Sequence, residues 1–364
     1  YYERVLLPDS GPSAIAWIGS TQYALMFIPG LFIGQLFDLG YLKLPYFIAN
    51  YLLLICVFLT AECTQYWQFF LAQGLGGGLA SGILFGPAVG VIRHWFSKRS
   101  GLALGVFAVG SSIGGTIFPI VGQNLIPLVG FKWTVRVFRF ILLIALGIGN
   151  ITIDRRLPPM NALGGLFNWA AFRNPAYTVY CIAGIFCFLG IYTEMTYLFV
   201  YATEIGVTNK FAFYLVAIAN ASSGIGRLSA GWLADQVGPL NVIIPFTAAA
   251  GVITLAWPFA TSQSSLIGVS VVYGIALGAY VSLLIAPIFA MGEVGDSDVG
   301  RRTGMFLTVT ALGMLTGPLI SGAINARTGG FKEVAYYAGG AILFSVLLLT
   351  IVRHLQLRRL FGKV

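Results

Sequence analysis

About eleven stretches of this chain are nearly free of charge and run to the thickness of a bilayer: 14–37, 44–61, 66–92, 101–127, 133–153, 175–202, 211–233, 240–260, 265–290, 303–325 and 333–353. Hydrocarbon offers no water to satisfy a peptide group, so a stretch of about 20 apolar residues crosses it as a helix. The composition agrees, with 58% hydrophobic and 9% charged residues in 364, against about 25% charged in a soluble domain. A water-soluble fold is excluded. The expected class is an all-α polytopic membrane protein.

In such a chain the 46 glycines and 15 prolines mark helix contacts and local breaks instead of loops. The series Gly74, Gly78, Gly82, Gly86, Gly90 and the series Gly101, Gly105, with Gly110 and Gly114 beyond it, carry the spacing of four that lets helices approach closely. Cys56, Cys63, Cys181 and Cys187 show no CxxC spacing, and His94 and His354 are the only histidines. No metal site, redox site or other cofactor is expected.

The chain repeats itself. Gly34-Gln-Leu-Phe-Asp38-Leu-Gly40 closes one apolar run, and Gly231-Trp-Leu-Ala-Asp235-Gln-Val-Gly238 closes another, with Gly34 and Gly231 197 positions apart. Lys98-Arg99-Ser-Gly101 and Arg301-Arg302-Thr-Gly304 enter two Gly-rich runs 203 positions apart. Shifting the run at 175–202 back by 197 carries it almost wholly ahead of Tyr1. The expectation is therefore a six-plus-six architecture of which about eleven of twelve helices are present, the first being absent. The halves would be 1–153 and 175–364, joined by a linker at 154–174.

Basic residues in alternate loops set the orientation. One set holds fourteen, among them Lys43, Lys98, Arg99, Arg155, Arg156, Arg301, Arg302, Arg358 and Arg359, and the other holds five. The positive-inside bias places both Asp turns and the C-terminus in the cytoplasm. It also accounts for the net charge of +9 as topology and lipid contact, so nucleic acid is not an expected partner.

These residues resemble a known superfamily. The Gly-x3-Asp-x-Gly turn and its copy are similar to the signature loops of the major facilitator superfamily. The run from Trp95 to Ser111, with Phe96, Lys98, Arg99, Leu102, Ala103, Gly105 and Gly110, resembles the fifth-helix signature of its monocarboxylate-porter-like group. Ile15-Ala-Trp17-Ile-Gly19-Ser20 and Arg156-Leu157-Pro158-Pro159 resemble the fungal branch. The first Asp turn departs from the pattern, because Leu39 and Tyr41 stand where basic residues are usual and only Lys43 is basic. A weaker charge latch is expected there. The resemblance implies two six-helix bundles, alternating access, no enzymatic activity and a fungal plasma-membrane location.

A porter of this kind holds its site near the midplane, where a buried charge needs a partner or a substrate. Arg227 lies eight residues before Asp235, hence about 12 Å in from that turn. The resemblance matches it to the Arg that meets a substrate carboxylate, but Ser223 stands where the family often has Asp. Bracing of the inner gate against backbone carbonyls is the equal alternative. Glu194 is the one acidic side chain well inside a predicted span, a proton or cation site by default, or else a hydrogen-bonded or externally solvated group. Asn220 and Tyr197 are further substrate-binding candidates, and Gln22, Tyr23, Asn50, Gln73 and Tyr192 could line a pathway. Arg136 and Arg139 share a helix face near the outer end, with snorkelling to the outer headgroups favoured over substrate attraction. Asp38, Asp235, Gly34, Gly231, Lys98 and Arg99 are the gating candidates, the two Asp facing helix N-termini.

The expected function is secondary transport of a small organic solute, an organic anion such as a monocarboxylate. Export of a fungal secondary metabolite is the alternative, followed by a membrane enzyme or a transporter-like sensor. Expected partners are the solute, a proton moved with it, and the lipid bilayer; oligomeric state stays open. No GxxxxGK[ST] motif is present to couple ATP.

Overall fold

Proline and glycine punctuate the apolar runs and mark several of the helix ends. The computed structural model describes residues 2–10, 12–96, 98–156, 167–291 and 299–357. Among them the helices are α1 (Pro12–Phe27), α2 (Gly30–Asp38), α3 (Lys43–Glu62), α4 (Tyr66–Phe69), α5 (Gly78–Trp95), α6 (Ser100–Thr152), α7 (Pro175–Gly190), α8 (Thr193–Glu204), α9 (Asn209–Val237), α10 (Pro239–Ala256), α11 (Gln263–Leu283), α12 (Ala286–Ala290), α13 (Val299–Thr328) and α14 (Lys332–Leu357). No strand forms among the described residues.

Among the described residues, ten helical stretches are long and apolar enough to cross a membrane. One of them is α6, whose 53 residues would reach about 80 Å at 1.5 Å per residue. Gly130 interrupts it at φ 77 and ψ 170, a conformation that only glycine adopts without strain. The limbs 100–129 and 131–152 each suffice to span, so the ten stretches provide eleven crossings. Many large apolar side chains on these helices face outward, with Ile151 86% and Leu128 79% exposed, as expected where lipid is the solvent.

Among the broken crossings, α11 and α12 are parted at Leu284 and Ile285, and two further breaks stand out. Pro29 separates α1 from α2 because it lacks an N–H and its ring clashes with the preceding turn. Ile191 and Tyr192 separate α7 from α8. Two helix starts carry side-chain caps of clear geometry. Asn174 accepts from the Ala176 N–H at 3.0 Å, with Pro175 at the first helical position of α7, and Ser262 accepts from the Ser265 N–H at 3.2 Å at the start of α11. A π-helical segment, Phe70–Gly77, lies between α4 and α5.

The chain divides into two compact units, one of Tyr1–Trp95, Val121–Asn168 and Ser297–Leu319, the other of Phe96–Ile120, Trp169–Asp296 and Ile320–Val364. Of the expected linker at 154–174, residues 157–166 lie outside the described residues, and Trp169–Arg173 is a 3-10 turn. The basic tail with Arg358, Arg359 and Lys363 also lies outside them.

Candidate functional site

In the second unit, the first limb of α6 packs on α9 through missing side chains. A Cβ on Gly101 would sit 2.6 Å from the Gly231 carbonyl oxygen, and one on Gly105 would sit 2.5 Å from that of Arg227. Farther along the same pair, the Ser112 and Ser223 hydroxyls hydrogen-bond at 2.7 Å, and a Cβ on Gly115 would meet Asn220 Oδ1 at 2.5 Å. Partner numbers rise along one helix as they fall along the other, so the pair runs antiparallel. Asp235 closes the seam: Oδ1 accepts from the Gly101 N–H at 2.8 Å and Oδ2 from the Leu102 N–H at 2.9 Å. The first N–H groups of a helix have no internal partner and carry its positive dipole end, so a carboxylate there makes two charge-assisted bonds.

The first unit contains a similar seam between α2 and the start of α13. A Cβ on Gly34 would lie 2.9 Å from the Gly300 carbonyl oxygen, and one on Gly304 would lie 2.6 Å from that of Gly30. The Asp38 carboxylate rests against Gly300, where an added Cβ would be 2.6 Å from Oδ2. Thr308 Oγ1 donates to the Ile28 carbonyl at 3.3 Å. Both Asp turns close on a glycine in the left-handed region, Gly40 at φ 100 and Gly238 at φ 95. The contacts thus match Gly101 with Gly300, whereas the sequence echo aligns Gly101 with Gly304, one helical turn away.

The latch at the first turn is better supplied than its local sequence suggests. Arg155 Nη1 donates to the Phe37 carbonyl at 2.6 Å, and Lys43 pairs with Asp154 at 3.4 Å in an exposed bridge. These groups come from beyond the far end of α6, 118 residues along the chain in the case of Arg155 and Phe37, so no local motif reveals them. Lys98 and Arg99 lie exposed just ahead of α6.

Arg227 is 7% exposed on α9. Its Nη1 donates to the Ala108 carbonyl at 2.8 Å and to Ser111 Oγ at 2.5 Å, which ties it across the α6–α9 seam. Ser111 and Ser112 escaped the sequence reading; the continuing small-residue run after Gly101 and Gly105 was the available signal. Asn220 donates Nδ2 to the Val216 carbonyl at 3.0 Å on its own helix. The Ser112–Ser223 pair contributes about 0.6 kcal/mol, an average interhelical hydrogen bond in a membrane protein. Ser223→Ala should accordingly lower the melting temperature in detergent only slightly, and adding Ser112→Ala should lower it little further.

Glu194 occupies the first turn of α8, directly after the break. It is 0% exposed, and neither carboxylate oxygen has a hydrogen-bond partner. External solvation is therefore ruled out in this structure. Beside it Thr193 and Ser321 bond hydroxyl to hydroxyl at 2.9 Å, and the Tyr273 hydroxyl on α11 donates to the Ile191 carbonyl. Tyr197, one turn on, faces Gly322, where a Cβ would sit 2.5 Å from its hydroxyl, and its ring lies 5.9 Å from that of Phe331. Arg227 and Glu194 form no ion pair among the described residues.

In the first unit Gln73, inside the π-helical segment, accepts from the Tyr2 hydroxyl at 2.6 Å and donates to Gln22 Oε1 at 3.4 Å. Burial pushes the Tyr2 hydroxyl up, so it remains a donor at physiological pH. The headgroup reading of Arg136 and Arg139 is corrected here. Arg136 pairs with Glu62 at 3.0 Å, alongside Lys132 at 2.9 Å. Arg139 is 5% exposed and lies over the Phe58 ring: a nearby carboxylate and an aromatic face hold these guanidinium groups to the protein. No group of His, Cys, Asp and Glu suited to a metal occurs among the described residues.

Eleven apolar crossings, two alike glycine seams closed by carboxylates, and buried ionisable groups within the crossings define a polytopic helical membrane transporter. The family model described as Major Facilitator Superfamily matches residues 8–291, and the chain belongs to that family, which is not enzymatic. It is 36% identical over 349 residues to the aspyridones efflux protein apdF of Emericella nidulans, covering 96% of this chain and 71% of that one. It is 34% identical to the MFS transporter asaE of Aspergillus flavus, covering 94% and 78%. Among solved structures, the human organic anion transporter MFSD10 superposes with a TM-score of 0.73 at 17% identity, covering 92% and 83%. The E. coli fucose:proton symporter FucP does so at 0.72 and 17%, covering 93% and 90%. At that identity the likeness concerns the fold.

Proposed function

We propose that this chain exports a small organic solute, a secondary metabolite of a fungal cell, by alternating access across the plasma membrane. The observation that carries the reading is the pair of seams, each a close glycine contact with a carboxylate beside a helix start, which Asp235 hydrogen-bonds directly. Two latches of matching build are what a carrier needs if its halves, 1–153 and 175–364, are to rock as equivalent bodies about the linker 154–174. The bias of basic residues assigns both latches and the C-terminus to the cytoplasmic side.

The direction is supported by the efflux relative in Emericella nidulans. Uptake of a monocarboxylate would ask Arg227 to present its guanidinium fork to a carboxylate. That group instead holds Ala108 and Ser111, which favours bracing. Asn220 and Tyr197 remain substrate-contact candidates on the same unit, with no charge requirement of their own.

Expression in a yeast strain stripped of its own exporters, loaded with a panel of fungal polyketides and organic acids, tests the proposal. At least one compound should fall severalfold in cellular content relative to an empty-vector strain. A rise in content for monocarboxylates alone would overturn export in favour of uptake.

A further inference from the structure

We propose that Glu194 carries a proton in this conformation and is the group through which transport is coupled to a proton gradient. The inference rests on the transport reading but is measurable without it. A carboxylate anion removed from water needs hydrogen-bond donors or a cation, and without them its neutral form is favoured. Glu194 is fully buried and both its oxygens lack a partner.

Among the described residues, the surroundings contain no cation to replace the proton. The break before α8 brings Tyr192 and α8 itself Tyr197; α11 brings Tyr273, and α7 brings Cys187 within reach of Tyr273. These are neutral hydroxyl and thiol groups at physiological pH. The Phe331, Val334 and Ala335 side of α8 is apolar. The charged side chain that α9 buries is Arg227, which is engaged on Ala108 and Ser111.

A metal cation such as sodium would need several oxygens to converge on it at once, whereas the neighbouring oxygens are turned toward other groups. Thr193 and Ser321 bond to each other, and the Ile191 carbonyl accepts from Tyr273. A proton requires only one carboxylate oxygen.

The position also suits release. Glu194 lies in the first turn of the 12-residue α8, whose dipole stabilises a negative charge. Opening of the Ile191–Tyr192 break would admit water to the carboxyl group. The proton would then pass to that water, leaving a carboxylate at a helix start. Reclosing would require protonation first, which is the condition for coupling.

Two measurements decide the matter on the purified full chain. In infrared spectra at neutral pH, the wild type should show a protonated-carboxyl stretch that is lost in Glu194→Gln and retained in Glu62→Gln, at the exposed ion pair. Superimposable wild-type and Glu194→Gln spectra would overturn the proposal whether or not any exported solute has been found. In proteoliposomes, with a solute identified in the efflux panel, an imposed pH gradient should accelerate wild-type transport about tenfold and Glu194→Gln transport not at all. Equal acceleration of the two would overturn the coupling role. Loss of transport in both directions of gradient, with the infrared band unchanged in other variants, would indicate a structural role and count against it as well.

Discussion

Gly105→Leu is expected to abolish transport while leaving expression and membrane insertion intact. The reason is local: the first atom of any side chain at this position would lie 2.5 Å from the Arg227 carbonyl oxygen, inside contact distance of backbone that cannot swing away. Forcing extra methylenes into a packed interface costs about 1–3 kcal/mol. At the upper end this makes the closed α6–α9 seam roughly 100-fold less populated. Each helix inserts by its own apolarity, so insertion is unaffected. Gly147→Leu is the matched control, because a Cβ there meets nothing within 4 Å. Transport by the Gly147 variant should be near normal, and robust transport by Gly105→Leu would show that the seam need not close.

Arg227→Ala is expected to lower transport of every exported solute about tenfold, neutral and anionic alike. Hydrogen bonds from a charged donor are worth about 1.5–3 kcal/mol. The lower figure applies, because Ser111 Oγ also bonds the Ala108 carbonyl at 2.9 Å and those groups would not be orphaned. About 1.5 kcal/mol is roughly a factor of ten in the closed population. Transport rates for a neutral and an anionic compound, measured side by side, separate bracing from substrate binding. Selective loss of the anion would restore the carboxylate role of Arg227.

The crossings were legible in the sequence because hydrocarbon tolerates few alternatives: length and apolarity read out helices directly, and even the Gly130 division of α6 fell between two expected spans. The Asp turns were legible because they repeat. Arg227 stood out as a charge in an apolar run. Its partners did not, since Ala108 and Ser111 are 119 and 116 residues away. The same distance problem hid Arg155, which reinforces the first turn from the far end of α6.

Taken alone, the sequence determined that this is a duplicated helical membrane protein, which residues bear charge within it, and where its two Asp turns lie. Only tertiary structure decided register and occupancy. It matched Gly101 with Gly300 instead of Gly304, engaged Arg227 across a seam, and left Glu194 buried with both oxygens unpartnered. The physical reason is that lipid penalises charge and exposed backbone strongly but scarcely distinguishes one apolar helix face from another. The pairing of faces is therefore set by close packing and a few hydrogen bonds between residues far apart in the chain.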